Sequence, residues 1–260
     1  MSSERPPALL AALAIVGVAF FILPLAGLLA RAPWQSALGE LTTPEALTAL
    51  QLSFVISLAA TALALLLGVP LAWIYARVPF RGRDLIRAVT TLPMILPPVV
   101  GGVALLFAFG RRGLFGQALD AIGIRLPFTT FGAILAATFV AMPLLVLTVE
   151  AGLRSMDRRY EDAARTLGAG RWVVFRRVTL PLIAPSVFAG AVLCWARALG
   201  EFGATITFAG NLPGTTQTLP LAVYIALETR PEVAIMLSVV LLAVSLAILV
   251  AMRDRYLRAF

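Results

Sequence analysis

The sequence predicts an all-α membrane protein, a single domain over 1–260 built from about six transmembrane helices. Hydrophobic residues make up 60% of the chain and charged residues 13%, where a soluble domain carries about a quarter charged. Uncharged apolar stretches long enough to cross a bilayer recur along the chain. Arginines fall between those stretches, and far more of them on one side than on the other.

The first span, 8–30, is too long for the roughly 7–15-residue core of a signal peptide and reads as a retained helix with a single Pro24. The second covers 52–76. The third, 88–109, holds Pro93, Pro97, Pro98, Gly101 and Gly102. Each proline removes a backbone donor, and in lipid the freed carbonyls need protein or water as partners. This span therefore faces the protein interior, and Pro97 and Pro98 are candidates both for a kink and for the lining of a translocation path. The fourth covers 130–149, the fifth about 182–205 and the sixth 233–252.

The fifth span is apolar except for Arg197 and Glu201. Four residues apart on a helix, the two share a face. Arg197 falls about 22 Å along a helix starting near residue 182, past the bilayer middle, where a charge is costly unless it meets protein or water. Two readings stand: the pair neutralises itself and pins helix packing, or Arg197, with Glu201 and Thr205, lines the path. Cys194 in the same run reads as a small buried hydrophobe; a lone cysteine forms no intramolecular disulfide.

With both termini cytoplasmic, the inner segments hold 15 arginines, from Arg5 through Arg77, Arg81, Arg83, Arg87 and the run Arg154–Arg177 to Arg253, Arg255 and Arg258. The outer segments hold five: Arg31, Arg111, Arg112, Arg125 and Arg230. That bias sets the orientation. It also explains the basic balance without a nucleic-acid partner. The outer arginines are matched by Glu40, Glu45, Asp120, Glu228 and Glu232, so no electrostatic funnel for an anion is expected.

The longest cytoplasmic segment, about 155–181, is where a soluble partner must dock. Ser155 or Asp157 can cap a helix there and Gly168 can end it. Tyr160, Ala163, Ala164 and Leu167 fall at i, i+3, i+4 and i+7, giving one short apolar stripe. Arg158 with Asp162 and Glu161 with Arg165 form i,i+4 pairs on the other face. A stripe of this kind fits a groove on a partner or lies against its own bundle or the lipid surface.

Other function classes fare poorly. The chain has no histidine, hence neither a His-containing zinc motif nor a Ser–His pair, and no metal site is expected. All 21 basic residues are arginine, so the lysine of a nucleotide-binding phosphate loop is missing. An ion-coupled secondary transporter would show paired repeats and a membrane-embedded ion site, and neither is evident.

Asp162-Ala163-Ala164, three residues, Gly168, nine residues, then Val178-Thr179-Leu180-Pro181 resembles the EAA loop of ABC importer permeases. Asp162 stands where that pattern has Glu, and Val178 where it has Ile; Glu161 is placed to compensate for the shorter acid. The resemblance runs from about residue 50 to 245. Leu67-Gly68-Val69-Pro70-Leu71-Ala72, Leu92-Pro93 through Leu96-Pro97-Pro98-Val99-Val100-Gly101-Gly102, and Ala196 to Thr205 are similar to the molybdate and sulfate permease group. Phe208 to Gly214 and Thr216 to Ala222 are closer to molybdate permeases.

The resemblance implies a type I ABC importer permease of the MetI-like kind in a prokaryotic cytoplasmic (inner) membrane. Its cargo is molybdate, with tungstate, sulfate or thiosulfate as alternatives. It implies a coupling helix in which Tyr160, Glu161, Asp162, Ala163, Ala164, Leu167, Gly168, Leu180 and Pro181 meet the motor. The expected partners are a second copy of the chain, two ATP-binding subunits that carry ATP and magnesium, an extracytoplasmic oxyanion-binding protein and membrane lipid. No cofactor is expected in this chain.

Overall fold

The computed structural model describes residues 7–256, and no strand occurs among them. Arg5 and Arg258, counted above for orientation, lie outside the described residues.

Helix α1 (Ala8–Ala30) buries none of its side chains. After the short α2 (Ala37–Leu41) comes α3 (Pro44–Arg77), longer than the span 52–76 because its start is specified locally. Thr43 Oγ1 accepts from the Ala46 amide at 3.3 Å, and Pro44 sits at the first helical position, where its missing N–H costs nothing.

The third expected span is not one helix. It divides into α4 (Arg83–Thr91), a 3₁₀ turn (Leu92–Met94) and α5 (Pro98–Phe109), with a 117° bend between the halves. Pro97 and Pro98 follow each other at the break, and neither can donate a helical hydrogen bond. Twelve residues of α5 reach only about 18 Å, short of the roughly 30 Å hydrocarbon layer.

After α6 (Gly116–Ala121), Thr129 Oγ1 caps α7 (Thr130–Ser155) by accepting from the Gly132 amide at 3.0 Å. The short α8 (Arg159–Thr166) follows, then α9 (Arg171–Val174), a π turn (Phe175–Thr179) and α10 (Leu180–Leu199). The last three run on as one rod of 29 residues. The π turn is the physical answer to Pro181: its ring would clash with the Arg177 carbonyl in a regular helix, and a wider turn relieves that. The rod therefore starts earlier than residue 182 and stops earlier than 205.

It stops because Gly200 ends it and Glu201 opens a new turn, α11 (Gly203–Phe208), by accepting from the Ala204 amide at 2.8 Å. Arg197 and Glu201 thus do not share one continuous helix face. Helices α12 (Leu219–Thr229) and α13 (Pro231–Tyr256) complete the chain.

The centre of the bundle is α3, α7 and α10, sealed by Ala60, Ala64, Ala72, Ala133, Ala137, Ala141, Leu145, Val149, Ile183 and Cys194. In lipid no hydrophobic force draws helices together, so small residues that let backbones approach closely do the work. Thr138 and Trp195 add polar links to α3, to the Ala60 carbonyl at 3.4 Å and Ser57 Oγ at 3.0 Å. A second cluster joins α3, α12 and α13 through Ala49, Leu219, Ala234 and Leu237. There Ser53 Oγ accepts from the Leu219 amide at 2.6 Å. Helices α5 and α11 form a third layer against α7.

Candidate functional site

Two places collect the residues singled out in the sequence. The first is the end of the bundle that carries α8. Asp157 Oδ1 accepts from the Arg159 amide at 2.9 Å and opens the helix, a role the sequence left open between Asp157 and Ser155. Closure is by a Schellman motif: the Gly168 amide donates to the Arg165 carbonyl at 2.9 Å and the Ala169 amide to the Ala164 carbonyl at 3.0 Å. Gly168 has φ +83°, and a Cβ there would meet nothing within 4 Å. The demand for glycine is therefore one of backbone conformation alone.

Tyr160, Ala163 and Leu167 are exposed and Ala164 is half-buried, so the apolar stripe faces away from the bundle. Leu167 is 88% exposed. Trp172, 70% exposed and stacked on Phe175 with centroids 5.7 Å apart, extends this apolar surface beyond the stripe read from the sequence. Asp162 also points outward and pairs with Arg165 at 3.1 Å, an i,i+3 contact rather than the expected one with Arg158. Arg158 instead donates to the Ala76 carbonyl at 3.2 Å, covering the end of α3. Leu180 is half-buried and Pro181 exposed, both just past the π turn.

Glu161 behaves differently from its neighbours. It is only 3% exposed. Its carboxylate lies 3.2 Å from Arg77 Nε on α3 and accepts from Thr179 Oγ1 at 2.7 Å in the π turn. It therefore neither pairs with Arg165 nor stands beside Asp162 to lengthen that acid's reach. A second buried carboxylate, Glu150 at 1% exposure, lies 3.0 Å from Arg87 Nε and 2.7 Å from Arg154 Nη2. Nothing in the sequence joins Glu161 to Arg77 and Thr179, or Glu150 to Arg87: Arg77 and Glu161 are 84 positions apart, and no periodicity links them.

The second place is the junction of α10, α11 and α5. Arg197 Nη1 lies 2.6 Å from Glu201 Oε2, and the side chains are 33% and 2% exposed. Glu201 is thus held by one guanidinium and one backbone amide. Thr205 is buried inside the bundle at 1% exposure, whereas Pro97 and Pro98 are exposed at the break before α5. Helix α11 packs on α5 without clearance. A Cβ on Gly102 would stand 2.6 Å from Thr207 Cβ and 2.9 Å from the Ala204 carbonyl oxygen.

At the opposite end from α8, Arg111 and Arg125 flank Asp120 at 3.8 and 3.0 Å, so those charges are locally compensated. Among the described residues no group of three or more acidic, histidine or cysteine side chains is arranged to hold a metal.

The family described as binding-protein-dependent transport system inner membrane component matches residues 64–259. The molybdenum transport system permease protein ModB of Mycobacterium tuberculosis (strain ATCC 25618 / H37Rv) is 46% identical over 242 residues, which cover 93% of this chain and 92% of that protein. The sulfate transport system permease protein CysT of Escherichia coli (strain K12) is 35% identical over 227 residues, covering 85% and 82%. Among solved structures, a bacterial alginate ABC transporter in complex with an alginate pentasaccharide-bound periplasmic protein has a chain that superposes with a TM-score of 0.72. The identity is 20%, and 95% of this chain and 94% of that one are covered.

Proposed function

Starting from the fact that the chain belongs to the family of inner-membrane components of binding-protein-dependent transport systems, we propose that it moves molybdate inward, driven by ATP hydrolysis on a separate subunit. The observation that carries the motor half of this reading is the outward apolar face of Tyr160, Ala163, Leu167 and Trp172 on the arginine-rich end. That end is cytoplasmic in the orientation favoured by the charge bias. A short rigid helix with an exposed apolar stripe suits a groove on an ATP-binding subunit. Asp162 and Arg165, also outward, give the contact a polar rim.

The cargo half is supported by the higher identity to a molybdenum permease, 46%, than to a sulfate permease, 35%. The working unit is two copies of this chain, two ATP-binding subunits carrying ATP and magnesium, and an extracytoplasmic oxyanion-binding protein. Both termini are cytoplasmic. ATP draws the motor subunits together, the docked α8 helices follow, and the bundles rock to open outward. The binding protein then releases its anion, and hydrolysis restores the inward state. Arg197 and Glu201, at the junction of α10 and α11, are placed beside the route, with Arg197 as the group an oxyanion meets.

The test is reconstitution in proteoliposomes with the ATP-binding subunit and the binding protein. Molybdate uptake is expected to require all three and ATP, and to persist under a large excess of sulfate. Uptake without ATP would refute the motor assignment, and equal displacement by sulfate would refute the cargo.

A further inference from the structure

We propose that Glu161 is the positioning residue that clamps the docking helix to the bundle, so that movement of α8 is passed to α3 and α10 together. Helix α8 is joined to its neighbours in the chain by three residues on one side, Met156–Arg158, and by Leu167–Gly170, with two glycines, on the other. Links this short and, on one side, this pliant do not define how a push on α8 is divided between the helices that follow and precede it. The side chains do. Glu161 turns its carboxylate away from the outward face and holds Arg77 in the last turn of α3 at 3.2 Å and Thr179 below α10 at 2.7 Å. Arg158, one turn earlier, grips the Ala76 carbonyl beside it.

Arg77 and Glu161 are 8% and 4% exposed, so the pair is shielded from water and from salt, and its geometry is held more tightly than that of a surface pair. The two helices it reaches are the ones that pack together with α7 to form the core. The adjacent acid, Asp162, is exposed and free to face a partner. The two neighbouring carboxylates thus divide the labour: Asp162 looks to the motor, and Glu161 looks to the permease.

This inference rests on the docking of α8 on an ATP-binding subunit, and the experiment separates the two. The full transporter is purified with its motor and reconstituted, and three quantities are measured: co-purification of the motor, ATP hydrolysis stimulated by molybdate-loaded binding protein, and molybdate taken up per ATP hydrolysed. E161Q is expected to retain the motor and hydrolyse ATP, while uptake per ATP falls by about tenfold, within the range of couplings carried by such contacts. The exchanged pair R77E/E161R is expected to recover part of that loss. T179V, which removes only the hydroxyl, is expected to lower uptake per ATP by about threefold and T179S to restore it.

Uptake per ATP unchanged in both E161Q and T179V would overturn the clamp. Loss of the motor from E161Q would also overturn it, because Glu161 would then belong to the docking face. If E161Q fails to accumulate, the T179V and T179S pair decides alone. Docking itself is judged by L167D, which is expected to lose the motor; an L167D complex that keeps it refutes the docking and leaves the outcome at Glu161 to be read separately.

Discussion

Replacing Arg197 by glutamine should strand the Glu201 carboxylate. Glu201 is 2% exposed and Arg197 33%, at a separation of 2.6 Å. Breaking a fully buried ion pair costs about 3–5 kcal/mol and a surface pair under about 1 kcal/mol. A pair with one partner buried and the other a third exposed falls between, so R197Q is expected to cost about 2 kcal/mol. E201Q keeps the amide oxygen that accepts from Ala204 and removes the charge, and is expected to cost about 1 kcal/mol. The double mutant R197Q/E201Q has no stranded charge. It should be no worse than E201Q, which gives a coupling of about 2 kcal/mol in the cycle. Thermal unfolding of the purified transporter measures these differences, and molybdate uptake by matched amounts of assembled complex measures the consequence. If R197Q and the double mutant are equally destabilised, the neutralisation argument is wrong. If the double mutant is stable and transports normally, Arg197 has no part in the route; if it is stable and inactive, the guanidinium acts on the anion.

Gly168→Ala should destabilise the end of α8 by about 1–2 kcal/mol through backbone conformation alone, since the new methyl meets nothing. Transport should fall while expression, followed by fluorescence of a fused reporter, is unchanged. Gly102→Val should separate α5 from α11, because the atoms in the way include the Ala204 backbone; about 1–3 kcal/mol of overpacking is expected, and Gly102→Ala should be milder in the same unfolding measurement. Substituting Trp172 by Ala should weaken motor binding by about tenfold in a titration with the isolated ATP-binding subunit, as loss of an exposed aromatic anchor does.

The helical bundle and the short helix α8 with its apolar stripe were legible because each is written locally. Composition and run length reveal spans, and the stripe Tyr160, Ala163, Ala164 and Leu167 is a matter of spacing within one helix. The prolines of the third span announced irregularity, but their sequence does not say whether a helix bends slightly or by 117°. That depends on what receives the freed carbonyls. The partner of Glu161 was misread for a related reason. Within its helix Arg165 is the expected partner, and the competing Arg77 reaches it only after α3 and α8 have been brought together. The end of the fifth span was misplaced because apolar residues resume on both sides of Gly200 and Glu201, while a buried Glu201 carboxylate on the Ala204 amide separates one helix from the next.

The wide turn at Phe175–Thr179 has a consequence for how the rod behaves as a screw. A π turn holds one more residue than the α pitch requires. Rewinding it to ordinary pitch would advance the short Arg171–Val174 thread by about 1.5 Å and spin it by about 100° relative to Leu180–Leu199. Trp172 would swing to another side of the rod, and Thr179 would leave the Glu161 carboxylate. The bolt between Glu161 and Thr179 therefore matches the wide winding that Pro181 imposes, and the hydroxyl keeps its partner only while the aromatic tip points as it does here.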